Sequence, residues 1–240
     1  MWFLRALLVV PFVFMAPGIV TAIAGRPGAV ANVSASTADV LGTSAVIAFF
    51  VMLAVTPIHT MTGWRWHLVL RRDYGIAMFA IAATDLVLAA LTTGDTFSGG
   101  FMSRVAGRAL LVAGTLAVIL TAPLVATANR RAQRWLGPHW KRLHRLTYVV
   151  WALIVFHLFL LFGVRSFFID ALVVSAPLVV LRVPAVRRWW NTARRTGRHR
   201  VVRASAAGVL TLVFLLGFVP FVRELVHVGT AAFVLHPILD

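Results

Sequence analysis

The sequence predicts an all-α fold, a polytopic transmembrane helical bundle of about seven spans. Its 240 residues are 60% hydrophobic and only 12% charged, where a soluble domain is about half apolar and about a quarter charged. Mean hydropathy is +0.90. Apolar runs of about 18 residues recur along the chain, each long enough to cross a hydrocarbon core of about 30 Å. Basic residues gather in alternate connectors between those runs, which is the positive-inside pattern of a membrane protein.

The same placement decides what the charge means. The formal charge of +16 arises from 23 Lys and Arg against seven acids. Confined to short connectors, these cations point to membrane lipid as the partner, with anionic headgroups attracted secondarily, and not to nucleic acid. There is no cysteine, which excludes disulfides, thiolate haem ligation and cysteine-bound iron–sulfur clusters.

Taken in order, residues 6–23 form the first run, preceded by Arg5. Its end, Ala22-Ile23-Ala24, mimics a signal-peptidase site, but the run is long enough to span and is read as a retained first span. Residues 25–39, rich in Gly, Ser, Ala and Thr, read as an outer loop, and the second span covers about 40–55. The connector 59–73 holds Arg65, Arg71 and Arg72 with Trp64 and Trp66, and is cytoplasmic. Span three follows at about 74–91, an outer loop at 94–104 and span four at about 109–126. The connector 129–145 is again basic, and span five covers about 146–163. The turn 164–166 is too short for anything but an antiparallel span six, about 167–181. The most basic connector, 182–203, precedes span seven at about 204–222 and an outer tail. The alternation places the N-terminus in the cytoplasm and the chain in the plasma membrane as a multi-pass protein. With no soluble domain, any nucleotide- or flavin-binding module is another polypeptide.

Of eight histidines, His157 lies inside a predicted span and His144 at the inner edge of the same one. His59, His67, His139 and His199 fall in basic connectors, and His227 and His236 in the outer tail. Histidine inside a membrane usually faces the bundle interior as part of a site, and imidazole is a common axial ligand of haem. A hydrogen-bonded packing role is the alternative. Thirteen residues at about 100° each would set His144 and His157 some 140° apart on one regular helix, so both face one slot only if the helix bends or breaks. Trp135, Trp140, Trp189 and Trp190 read as interfacial anchors.

Several motifs then resemble a known family. Thr56-Pro57-Ile58, Thr62-Gly63-Trp64, Leu70-Arg71-Arg72-Asp73-Tyr74-Gly75 and Trp140-Lys141-Arg142-Leu143-His144-Arg145-Leu146-Thr147-Tyr148, with His157, are similar to the ferric-reductase-like transmembrane domain. Within it they most resemble the haem-binding membrane subunits of periplasmic methionine sulfoxide reductase systems. The resemblance implies six ferric-reductase-like spans, a haem-binding core over residues 1–165, and two further helices with a basic connector over 166–240. It implies a b-type haem conduit, an electron-transfer subunit and not a self-contained enzyme. Electrons would come from a cytoplasmic flavin or quinol donor, on a separate flavoprotein or in the quinone pool, and leave to an outer acceptor such as a periplasmic redox enzyme. His144 and His157 would be the iron ligands. Arg71, Arg72, Arg142 and Arg145 could hold haem propionates or lipid phosphates at the inner surface, where topology alone would also put arginine. One position departs from the family. Thirteen residues after Arg72, where the family has a further histidine ligand, stands Asp85. Asp85 could pair with His157, bond a distal water on a five-coordinate haem, or form a proton-conducting pair. The alternative function is therefore a haem-poor or haem-free relative using an Asp/His pair for proton or solute movement or for partner assembly.

Overall fold

The computed structural model describes residues 29–92, 109–164 and 166–234. All regular structure among them is helical: α1 (Ala29–Thr62), a 3-10 turn (Trp66–Val69), α2 (Leu70–Thr92), α3 (Ala109–Ala126), α4 (Arg130–Leu136), α5 (Pro138–Leu143), α6 (Leu146–Phe162), α7 (Ser166–Val180), α8 (Pro184–Arg195) and α9 (Arg200–Val234). A lipid core offers no hydrogen bonds to the backbone, so a spanning segment must satisfy its own amides as helix. The fold is an all-α membrane bundle, as the composition requires.

Four helical stretches among the described residues are long and apolar enough to cross a membrane: Val40–Thr62, Ala109–Ala126, Pro138–Phe162 and Arg200–Val228. Phe167–Val180 and Pro184–Arg195 form a fifth pair, bent by 59° at their junction. The 23 residues of α2 cover roughly 35 Å at 1.5 Å per residue, also enough to cross. The expected first span, residues 6–23, and the loop at 94–104 lie outside the described residues.

Helix boundaries differ from the sequence reading in three places. Helix α1 begins at Ala29, eleven residues before the expected span; Ala, Val, Ser and Thr there, with no Gly or Pro until Gly42, allow helix to continue. The connectors 129–145 and 182–203 are helical over α4, α5 and α8. Asn129 caps α4 by accepting from the Ala132 amide at 2.8 Å, and Pro138 and Pro184 open α5 and α8, where a missing N–H costs nothing. Helix α9 runs to Val234, well beyond the expected end near 222.

The core is aromatic. Phe49, Phe50 and Phe221 are almost fully buried; Phe221 of α9 lies 5.7 Å from Phe50 of α1 and 5.4 Å from Phe167 of α7. Helices α7 and α9 approach so closely that a Cβ on Gly217 would sit 2.7 Å from the Val174 amide nitrogen and 2.8 Å from the Asp170 carbonyl oxygen.

Proline sets a second tie. Pro57 inside α1 has no N–H, which leaves the Leu53 carbonyl without its helical donor. Arg182, in the break between α7 and α8, supplies one: its Nη2 donates to Leu53 O at 2.6 Å and its Nη1 to Leu178 O at 3.1 Å. Burial pushes this guanidinium down to about 10, with Arg71 and Arg187 adding to the effect and Tyr148 opposing it. A buried carbonyl left without a donor costs about 1–3 kcal/mol. Arg182→Leu should therefore destabilise by about that amount, and clearly less in a Pro57→Ala background, where residue 57 regains an N–H. A double-mutant cycle of thermal unfolding in detergent measures the coupling; equal losses in both backgrounds would show that Leu53 O is not what Arg182 serves.

Helix α8 holds the end of α1 from below. Trp190 Nε1 donates to Met61 O at 3.4 Å and Arg194 Nη1 to His59 O at 3.3 Å, covering carbonyls at the negative end of a helix dipole. Gly63, at φ +78°, turns the chain out of α1 directly beneath the Arg194 guanidinium. Trp190 is thus buried at 3% exposure and is not the interfacial anchor expected; Trp135 and Trp189 are exposed, in keeping with that role.

Candidate functional site

Two cavities lie one above the other between α1, α2, α3 and α6, sharing the wall formed by Met78, Thr121 and Val150. The larger, about 310 Å³, is at the basic end, with Arg71, Arg72, Arg130, Asn129, Gln133, Trp140 and His144 around an apolar interior that includes Phe49, Met52 and Leu124. The deeper one, about 160 Å³, is faced by Asp85 of α2 and His157 of α6 among mostly small and apolar residues.

Both histidines face this stacked pair of cavities, and the helix geometry explains how. Residues 144–145 form a turn between α5 and α6, so His144 and His157 are not on one regular helix; the sequence reading allowed both to face one slot only with such a break. The break resets the phase: His144, Thr147 and Val150 line the basic-end cavity and Val150, Ile154 and His157 the deeper one.

His144 is held on two sides. Its ring lies 4.1 Å from that of Trp140, tilted by 30°, and Trp140 is itself fixed by donating to Thr127 O at 3.0 Å. His144 Nε2 is 3.2 Å from Thr127 Oγ1, whose own proton goes to Pro123 O at 2.7 Å. A hydroxyl has one proton, so Nε2–H donates to Thr127 and Nδ1 carries the lone pair.

His157 is oriented by backbone. Its Nδ1–H donates to Leu110 O at 2.9 Å, the type of second contact that fixes tautomer and ring direction in metal-binding histidines and leaves Nε2 bare. The approach depends on Gly114: a Cβ there would lie 3.1 Å from Cε1 and 3.2 Å from Nδ1 of the ring. Gly114→Leu should push the imidazole away from α3, and the His157 Nδ1–H resonance in a proton NMR spectrum should lose its hydrogen-bonded shift. An unchanged resonance would contradict the packing.

The site residues expected from sequence divide cleanly. Arg71, Arg72 and His144 share the basic-end cavity and Asp85 and His157 the deeper one, whereas Arg145 is exposed and lines neither. Arg130, Asn129 and Gln133 join the first group from the turn into α4, which the sequence reading treated only as a basic connector. Among the described residues no three His, Asp or Glu side chains gather around one point.

No family model matches the chain, and no solved structure does. Among curated proteins, the chain is 29% identical over 150 residues to the protein-methionine-sulfoxide reductase heme-binding subunit MsrQ of Ralstonia nicotianae, covering 62% of this chain and 68% of the relative. In sequence this multi-pass membrane bundle is similar to a haem-binding membrane subunit of methionine sulfoxide reductase.

Proposed function

We propose that the chain is a membrane electron-transfer subunit that holds b-type haem in the basic-end cavity. The observation carrying this reading is the union, in one largely apolar pocket, of an imidazole (His144) with three guanidinium groups (Arg71, Arg72, Arg130). The donor set fits. Imidazole is an axial ligand, and the arginines suit two carboxylates through charge-assisted bonds. When bound, the haem supplies a one-electron carrier. Trp140 and Thr127 hold the His144 ring, and the wall of Phe49, Met52 and Leu124 keeps water out.

The deeper cavity does not fit as a second haem site of the bis-histidine kind. It is about half as large, and a carboxylate, Asp85, stands where the resemblance leads one to expect imidazole. No step is assigned to haem there. That cavity is also the observation favouring the alternative reading, a haem-free bundle that uses Asp85 and His157 for proton or solute movement.

In this reading the basic connectors face the cytoplasm, and a quinol or a separate flavoprotein delivers electrons at that face. Residues 1–165 make the haem-binding core, buttressed by α7, α8 and α9. Reduction of the protein in proteoliposomes tests it: a quinol or reduced flavin added to the side exposing the basic connectors should develop a reduced haem spectrum. If only dithionite reduced it, the donor assignment would fail; if nothing did, the electron-transfer reading would fail.

A further inference from the structure

Helix α4 lies at the mouth of the basic-end cavity, where its Arg130 and Gln133 join the lining. It is fixed at both ends, by the Asn129 side chain and by the Gly137 amide donating to Gln133 O at 3.1 Å, yet it buries no residue. Packing therefore does not account for its sequence. At about 100° per residue, Arg131 and Trp135 stand on the side opposite Arg130 and Gln133, with Arg134 on the flank, so they turn away from the cavity and the bundle. All three are exposed. Trp135, at 84%, is the most exposed large hydrophobic side chain among the described residues, whereas Trp140 and Trp190 donate to backbone carbonyls. No Asp or Glu occurs in 129–145 or 182–203 to neutralise the arginines. Exposure alone would also suit a lipid anchor, but an anchor turns to the bilayer, and this face turns from a cavity set between the spans. Arginine and tryptophan dominate the energetic centres of protein interfaces, and on a rigid helix they lose little freedom on binding.

We propose that the α4 face made by Arg131, Arg134 and Trp135 is the docking surface for the electron donor, a soluble flavoprotein that meets it with an acidic patch and an apolar contact for the indole. The assignment rests on the electron-transfer reading above and deepens it, by choosing an acidic flavoprotein over a quinol and by placing it. A partner seated there is one helix diameter, about 10–12 Å, from the cavity. The surrounding cations steer an acidic partner toward that face.

The test is binding of a labelled flavodoxin, a small acidic flavoprotein, to the protein in nanodiscs of zwitterionic phosphatidylcholine, followed by fluorescence anisotropy. Saturable binding that weakens as salt is raised is expected. Trp135→Ala and the pair Arg131→Glu/Arg134→Glu should each weaken it by about tenfold or more. The pair Arg187→Glu/Arg188→Glu on α8 makes the same change in net charge and should cost on the order of threefold or less, through screened long-range attraction alone. Because α4 buries nothing, all variants should elute from gel filtration as the wild type does. No binding by the wild type, or equal losses from the α4 and α8 pairs, would overturn the assignment. So would quenching of the Trp135 emission (wild type minus Trp135→Phe) by brominated phosphatidylcholine, which would make α4 a lipid anchor. These readouts need no haem, so their failure leaves the haem reading standing; a colourless protein would overturn that reading and the donor assignment with it.

Discussion

His144→Ala is expected to yield a folded protein without haem, while His157→Ala keeps its full complement. The contrast follows from what surrounds each ring. His144 faces a cavity of about 310 Å³ rimmed by Arg71, Arg72 and Arg130; His157 faces one of about 160 Å³ across from Asp85. In neither variant should the bundle be lost. His144 is only half-buried at a turn, and removing His157 vacates a bond to a carbonyl, Leu110 O, that lies inside α3 and retains its helical acceptor role. Haem content per folded chain, from absorbance alongside gel filtration, reads the result directly. Loss of haem in His157→Ala with retention in His144→Ala would invert the site.

The second large effect is on the fold. Gly217→Leu should abolish a properly packed bundle, seen as aggregation on gel filtration or a greatly lowered thermal midpoint in detergent. Overpacking a core costs about 1–3 kcal/mol when side chains can yield. Here even the Cβ meets backbone, the Val174 nitrogen and Asp170 oxygen within 2.8 Å, so α9 must separate from α7. That separation withdraws Phe221 from its place between Phe50 and Phe167. A Gly217→Leu protein as stable as wild type would mean that the α7–α9 crossing is not this tight.

Elements defined by long apolar runs were legible from sequence. Span four was expected at 109–126 and is Ala109–Ala126; span five, expected at 146–163, is Leu146–Phe162. In a bilayer, apolarity over that length leaves helix as the remaining option. The short helices α4, α5 and α8 were not legible, because their polar, arginine-rich sequences resemble connectors until tertiary contacts are known. In α8 Val186, Trp190 and Ala193 do recur at i, i+4 and i+7, one apolar helix face, but among so many arginines the stretch was read as a connector.

The candidate residues were legible where the side chain itself is distinctive. Arg71, Arg72, Asp85, His144 and His157 were all singled out, and all face the two cavities. What sequence could not convey were the partners supplied by backbone and by empty space. Leu110 O orienting His157 and Gly114 admitting its ring have no signature of their own. That Arg182, 129 positions from Leu53, would fill the carbonyl freed by Pro57 is a property of the folded chain. Arg145 shows the converse: proximity in sequence to His144 did not place it in the cavity.

The most direct test of the whole account is the pyridine-haemochrome assay on detergent-purified protein expressed with added haem. The account predicts about one b-type haem per chain with a sharp reduced α-band. A colourless protein would contradict it, and Asp85 and His157 would then be the residues through which the bundle acts.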